Sequence, residues 1–131
     1  MKLLIVDDHL CVRTLIRQLV TCPADEVREC TSGEEAVHVA REFTPDLVTM
    51  DLRLGRLGGI AATRALREAC PSAQIVIVTS YDQPELRQAA AAAGAVHFVV
   101  KDNLLELQQV IPQLAAALTV VLARKPNGKK P

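Results

Sequence analysis

Residues 3–9 read Leu-Leu-Ile-Val-Asp-Asp-His, and the reading of this stretch decides the fold. Four consecutive apolar residues suit a short strand buried on both faces, as strands of parallel sheets are. Asp7 and Asp8 then follow side by side. Like charges that close raise one another's pKa, so a chain that ends a buried run on two carboxylates needs something cationic to meet them.

The same unit recurs along the chain. Lys2–Val6 is a strand, and residues 9–20 carry Leu10, Val12, Leu15, Ile16, Leu19 and Val20 at the spacing of one helical face, ended by Pro23. Residues 25–30 form a weaker, more polar strand, as a sheet edge would. Thr31 or Ser32 can cap the next helix, with Glu34 and Glu35 in its first turn and Ala36, Val37, Ala40 and Phe43 on its apolar face. Residues 46–50 are strand-like and lead to Asp51 and a loop holding Gly55, Gly58 and Gly59. A helix over 60–69, a β-branched strand over 74–79, a helix from Pro84 to the alanine run closed by Gly94, a strand over 95–100 and a helix over 103–122 complete the chain. Pro112 falls inside that last pattern and is expected to kink or split it.

Composition narrows the function. The 131 residues suit one domain with a real core, and half of them are hydrophobic. Fifteen basic and fifteen acidic side chains cancel, which gives no footprint for nucleic acid or an anionic membrane. Aromatics make up 2%, too few for a base-stacking platform. Cys11, Cys22, Cys30 and Cys70 show no zinc spacing and read as reduced thiols, so a cytoplasmic location is expected. His9, His38 and His97 have no metal spacing either and read as structural or surface residues.

Strands alternating with helices imply right-handed crossovers and a doubly wound, five-stranded parallel α/β sheet of flavodoxin-like type, strand order 2-1-3-4-5. Ligands of such sheets bind beyond the carboxyl ends of the strands. Asp7 and Asp8 follow the first strand, Asp51 the third, Thr79 ends the fourth and Lys101 follows the fifth, so all five converge at one end. An oxygen-rich, thiol-free cluster suits Mg²⁺, with Mn²⁺ as the alternative ion. Lys101 and Thr79 suit the oxygens of a phosphoryl group, and a carboxylate beside a divalent cation can act as the nucleophile. Asp51, alone on the central strand, is the candidate.

With these residues in view, the chain resembles the receiver domains of bacterial two-component response regulators. The segments LLIVDDH, DLVTMDLRL, IVIVTSYD and GAVHFVVKD match the family's four signatures in order and spacing, over residues 2 to about 120. The resemblance implies that Asp51 is the phosphoacceptor and Asp8 a direct Mg²⁺ ligand, with Asp7 acting mainly through metal-bound water. It implies a further ligand in the main-chain carbonyl of Arg53, phosphoryl contacts from Thr79 and Lys101, and an aromatic switch at Phe98. The implied donor is a phosphohistidine on a sensor histidine kinase or histidine phosphotransfer protein, and the domain would catalyse its own phosphorylation and dephosphorylation without turning over a separate substrate.

Departures from the family pattern matter too. Gly55 stands where the family has proline, and Gly58 where an acidic or amide residue is common, which predicts a looser loop. Arg53 and Tyr81 flank the path of attacking water and predict slow dephosphorylation.

The receiver is expected to span residues 1–122, followed by a basic, disordered tail over 123–131 with no output domain. The apolar stretch 113–123 is extra core or a patch for a partner or a second copy of the chain, so a homodimer is a further expectation. Signalling to an unnamed downstream protein is expected, without direct contact to nucleic acid or membrane. Two alternatives stand beside this reading. One is a pseudo-receiver that docks partners without phosphorylation, against which the intact set of acids, Thr79 and Lys101 argues. The other is a haloacid-dehalogenase-like phosphatase, whose DxD at the first strand this chain lacks.

Overall fold

The computed structural model describes the backbone of residues 1–124 and the side chains through residue 117. Five strands, β1 (Lys2–Val6), β2 (Glu26–Cys30), β3 (Leu47–Met50), β4 (Gln74–Thr79) and β5 (His97–Val100), alternate with α1 (Leu10–Val20), α2 (Gly33–Phe43), α3 (Gly59–Ala69), α4 (Pro84–Ala93) and α5 (Leu107–Arg124). All pairings are parallel, in the order β2-β1-β3-β4-β5. The expected doubly wound sheet is therefore present, and the polar strand β2 lies at its edge.

The apolar runs are continuous because both faces of the sheet are covered. Leu3, Ile5, Val76, Val78 and Val99 meet Ile16 of α1 and Leu107 and Ile111 of α5. Leu4, Val6, Val48, Met50, Ile75 and Ile77 meet Ala36 and Ala40 of α2, Ala62 and Leu66 of α3, and Ala90 of α4. Full burial of such side chains stabilises the fold by about 1.5–3 kcal/mol each before entropy is counted. Caps set the ends. Ser32 Oγ accepts from Glu35 N–H (3.1 Å) while Glu35 reaches back to Thr31 N–H (2.9 Å), and Gly94 ends α4 at a φ of 112°.

The chain after β5 departs from the expected helix over 103–122. Residues Lys101–Glu106 form a 3₁₀ segment in which Asn103 is non-helical (φ −132°, ψ 53°), and the α-helix begins at Leu107. Leu104, Leu107, Val110, Ile111 and Leu114 all pack on the α1/α5 side, so apolar spacing alone could not tell the tighter turn from the helix. Of the two outcomes expected at Pro112, a split does not occur: α5 runs on through it. Gln108 and Pro112 are both exposed, so water can serve the carbonyl that proline leaves without a donor. Residues 125–131, most of the predicted tail, lie outside the described residues, as do the side chains of the apolar stretch beyond residue 117.

The β3–α3 loop carries Asp51 and depends on two kinds of glycine. Gly55 and Gly58 adopt φ of 52° and 74°, and Gly59 lies so close beneath the strand end that a Cβ there would run into Asp51 O and Leu52 Cα. Proline, with φ fixed near −65°, does not fit at Gly55, so this loop takes a path that the family's usual proline would forbid. Gly59→Ala is expected to lower the unfolding free energy by about 1–3 kcal/mol. Gly55→Pro should cost more than about 1 kcal/mol. Denaturant midpoints of both variants check this, and an unchanged midpoint for Gly55→Pro would contradict the positive φ.

Candidate functional site

Parallel strands end at one edge of the sheet, and there the structure gathers Asp7, Asp8, Asp51, Thr79 and Lys101 as the sequence predicts. Asp7 and Asp51 are buried, Thr79 fully so, whereas Asp8 is 48% exposed. One ligating atom from each of Asp7, Asp8, His9 and Asp51 lies within 4.8 Å of the others. Lys101, just past β5, reaches back so that its Nζ lies 2.8 Å from Asp7 Oδ2 and 3.2 Å from Asp51 Oδ2.

Backbone pairing fixes the two buried acids before their side chains act. Asp7 N–H donates to Cys30 O (3.1 Å) and Asp51 N–H to Val6 O (3.0 Å), which continues the sheet one residue beyond its strands. Arg53 N–H donates to Asp51 Oδ1 at 3.4 Å, and Tyr81 N–H to Thr79 Oγ1 at 3.4 Å, which leaves the Thr79 O–H as a donor. Asp7 Oδ2 is sealed from water and accepts no hydrogen bond of good geometry; the Lys101 ammonium balances its charge.

The electrostatics follow from two buried carboxylates, Asp7 and Asp51, sharing one ammonium beside a third, half-exposed carboxylate, Asp8. Burial raises the pKa of Asp51, Asp7 adds to the rise, and Lys101 offsets only part of it. Burial works against the charge on Lys101, but Asp7 and Asp51 outweigh it and hold its pKa above the ordinary value. A divalent cation fits this donor set: the oxygens are hard, they converge, and they carry more negative charge than Lys101 neutralises.

Further residues border the site. His9, read from the sequence as a structural or surface residue close to the site, puts Nδ1 2.9 Å from Asp8 Oδ1 and 3.3 Å from Asp7 Oδ1, at the exposed lip of the cluster. Arg13 of α1 donates from Nη1 to Asp7 O (2.8 Å) and from Nε to Glu29 Oε1 (2.8 Å). Its apolar-helix neighbours gave no signal for this, since a basic residue on a helix is ordinarily solvated. Arg53 stacks over the Tyr81 ring at 4.8 Å, so the two residues predicted to flank the acceptor also touch each other. Phe98 is half-buried against the α2–α4 side of the core, with Arg87 of α4 over its ring at 4.5 Å and paired to Asp82 at 2.6 Å.

The raised pKa of Asp51 has a definite sign. The unfolded chain releases this proton at lower pH than the folded one does, so stability falls as pH rises from the normal carboxylate pKa through the raised one. In metal-free buffer at pH 7, Asp51→Asn should therefore melt above wild type, on the order of a few degrees. The gap should close below about pH 4, where Asp51 is neutral in both states. Thermal melts across pH check this, and a variant that melts lower at pH 7 would contradict it.

Comparison with known proteins gives the same picture. The family described as "Response regulator receiver domain" matches residues 3–112. The chemotaxis protein CheY of Thermotoga maritima is 36% identical over 101 residues, 76% of this chain and 84% of the relative. The response regulator GacA of Pseudomonas aeruginosa is 35% identical over 118 residues, 88% of this chain but 55% of the relative, so the chain spans about half of that longer protein. Among solved structures, a two-component response regulator of the LuxR family from Aurantimonas sp. superposes with a TM-score of 0.79 at 38% identity, covering 88% of this chain and 85% of the other. The BeF3-activated DrrB receiver domain shares the fold at a TM-score of 0.80 and 21% identity, over 88% of this chain and 97% of the other. Sheet order, the convergence of the acids on Lys101 and the match over residues 3–112 agree: the chain belongs to the receiver domains of two-component response regulators.

Proposed function

We propose that this chain is a phosphoacceptor: Asp51 takes a phosphoryl group from a phosphohistidine donor, and the resulting acyl phosphate changes a protein-binding surface. The observation that carries the proposal is Asp51 itself, buried, with one carboxylate oxygen 3.2 Å from the Lys101 ammonium and its ligating atoms grouped with those of Asp7 and Asp8. A structural carboxylate in such a place would be a liability, since its charge is disfavoured by burial and by Asp7.

An Asp51 carboxylate oxygen attacks phosphorus as the P–N bond to the donor imidazole breaks, and the leaving imidazole takes up a proton. Asp8, Asp7, Asp51 and the Arg53 carbonyl would hold Mg²⁺, or Mn²⁺, which neutralises charge on the transferring group. Lys101 moves from the carboxylates onto a phosphoryl oxygen, and Thr79 donates its hydroxyl to another. Water later attacks phosphorus and returns Asp51 to the free acid. Inward movement of Thr79 makes room for Phe98, which must give up its contact with Arg87 to turn.

The donor is a sensor histidine kinase or a histidine phosphotransfer protein, and the readout is a downstream protein or a second copy of the chain. The receiver unit is residues 1–122, acting in the cytoplasm; among the described residues no helix is long and apolar enough to cross a membrane.

Intact-protein mass after incubation with Mg²⁺ and acetyl phosphate tests the reaction. Wild type should gain one phosphoryl group, about 80 Da, and Asp51→Asn none. No gain by a wild-type protein that demonstrably binds Mg²⁺ would favour a docking module that is never phosphorylated. The Arg53–Tyr81 stack shields the acceptor from water, so Arg53→Ala and Tyr81→Ala should each shorten the lifetime of the phosphorylated form by up to about tenfold, a barrier change of about 1.4 kcal/mol. Lifetimes unchanged in both variants would remove the shielding role.

A further inference from the structure

Asp7 and Asp8 stand on the turn between β1 and α1, where strand pairing stops and the helix, which starts at Leu10, has not yet begun. A turn is the least constrained backbone in a doubly wound domain, yet a cation site needs its oxygens placed within a fraction of an ångström. The peptide between the two acids is planar, so whatever fixes the Asp7 carbonyl also fixes the N–H of Asp8 and the Cα atoms from which both side chains leave.

Arg13 holds that carbonyl. Its side chain is 12% exposed, and its guanidinium donates from Nη1 to Asp7 O and from Nε to Glu29 Oε1, both at 2.8 Å. Arg17, one turn further along α1, grips the other Glu29 oxygen at 2.8–2.9 Å. Glu29 lies on the edge strand β2, beside Cys30, whose carbonyl accepts Asp7 N–H at 3.1 Å. Both ends of the Asp7 residue are thus tied to the end of β2, one directly and one through Arg13. Burial disfavours the Glu29 charge, but Arg17 and Arg13 together outweigh it and keep the carboxyl ionised.

The charge arrangement is as telling as the geometry. A guanidinium this near an acidic pair would ordinarily neutralise it and compete with a metal ion. Here the cation is directed to Glu29 and to the Asp7 carbonyl, and among the described residues it makes no ion pair with the carboxylate of Asp7, Asp8 or Asp51.

We infer that Arg13 is a positioning residue of the cation site: through the Asp7 carbonyl it sets the Asp7–Asp8 peptide, with Glu29 as the strut that keeps the guanidinium in place without letting it pair with the acids. The inference rests on the divalent-cation reading of the cluster. Outer partners of this kind change metal affinity by about 10–100-fold when removed.

The test is Mn²⁺ binding, followed by the electron paramagnetic resonance of the free ion, and Mg²⁺ binding by calorimetry, on wild type, Arg13→Gln, Glu29→Gln and the double variant. Thermal melts of the metal-free proteins are run alongside. Arg13→Gln should bind both ions at least about tenfold more weakly. Glu29→Gln should shift affinity the same way by less, and the double variant should bind no more weakly than Arg13→Gln, because the two residues act through one contact. A lowered melting temperature with wild-type affinity for both ions would overturn the inference and leave Arg13 a packing residue. Additive losses in the double variant would overturn the strut. Wild type that binds neither ion would instead overturn the cation reading on which the inference rests, and the two failures are told apart by the wild-type titration alone. Should Arg13→Gln fail to fold, Arg13→Lys takes its place. Lysine keeps the charge but lacks the planar fork that reaches the two acceptors from separate nitrogens, so it should still bind the ions more weakly than wild type.

Discussion

The Lys101 ammonium between Asp7 and Asp51 is the contact on which the site's arrangement depends. Lys101 meets two of the three grouped carboxylates, and the cluster stays negative even after those contacts form. Burial amplifies the imbalance, because low-dielectric surroundings raise the energy of every uncompensated charge. The cluster is therefore held in a state that a divalent cation would relieve. Lys101 can serve both situations, on the carboxylates first and on a phosphoryl oxygen afterwards, because it enters from the far strand β5 on a long side chain.

The fold makes this possible through one geometric fact. In a sheet whose strands all run the same way, the carboxyl ends of β1, β3, β4 and β5 lie along one edge, so residues as far apart in sequence as Asp7 and Lys101 become neighbours. Backbone pairing carries one residue past β1 and β3 to fix Asp7 and Asp51, and the absent side chain of Gly59 lets α3 begin directly beneath Asp51. Around that rigid floor sit paired side chains that are easier to displace: Arg53 on Tyr81, Arg87 on Phe98, and His9 on Asp8. The division suits a switch, in which the chemistry needs fixed atoms and the signal needs movable ones.

Much of this was legible in the sequence because the relevant signals are local. Continuous apolar runs marked doubly buried strands, the cap at Ser32 and the glycine at 94 marked helix ends, and the polar residues directly after each run marked the functional edge. The final helix was misread for a related reason: a 3₁₀ turn and an α-turn give nearly the same apolar spacing over six residues, and only the backbone at Asn103 separates them. Pro112 leaves α5 unbroken, since on an exposed face water can partner the carbonyl that proline leaves without a donor.

The sequence by itself determined the order of strands and helices, the class of sheet, and the five polar residues at its carboxyl edge, because each follows from a pattern only a few residues long. Tertiary structure alone decided what supports and surrounds those residues. Arg13 meets Glu29 across 16 positions, Arg87 meets Phe98 across helix and strand, and Arg53 meets Tyr81 between two loops. Charged side chains on helices and loops look alike in a sequence, since most are solvated. Their partners are chosen by where the folded backbone places them, and no local pattern encodes that.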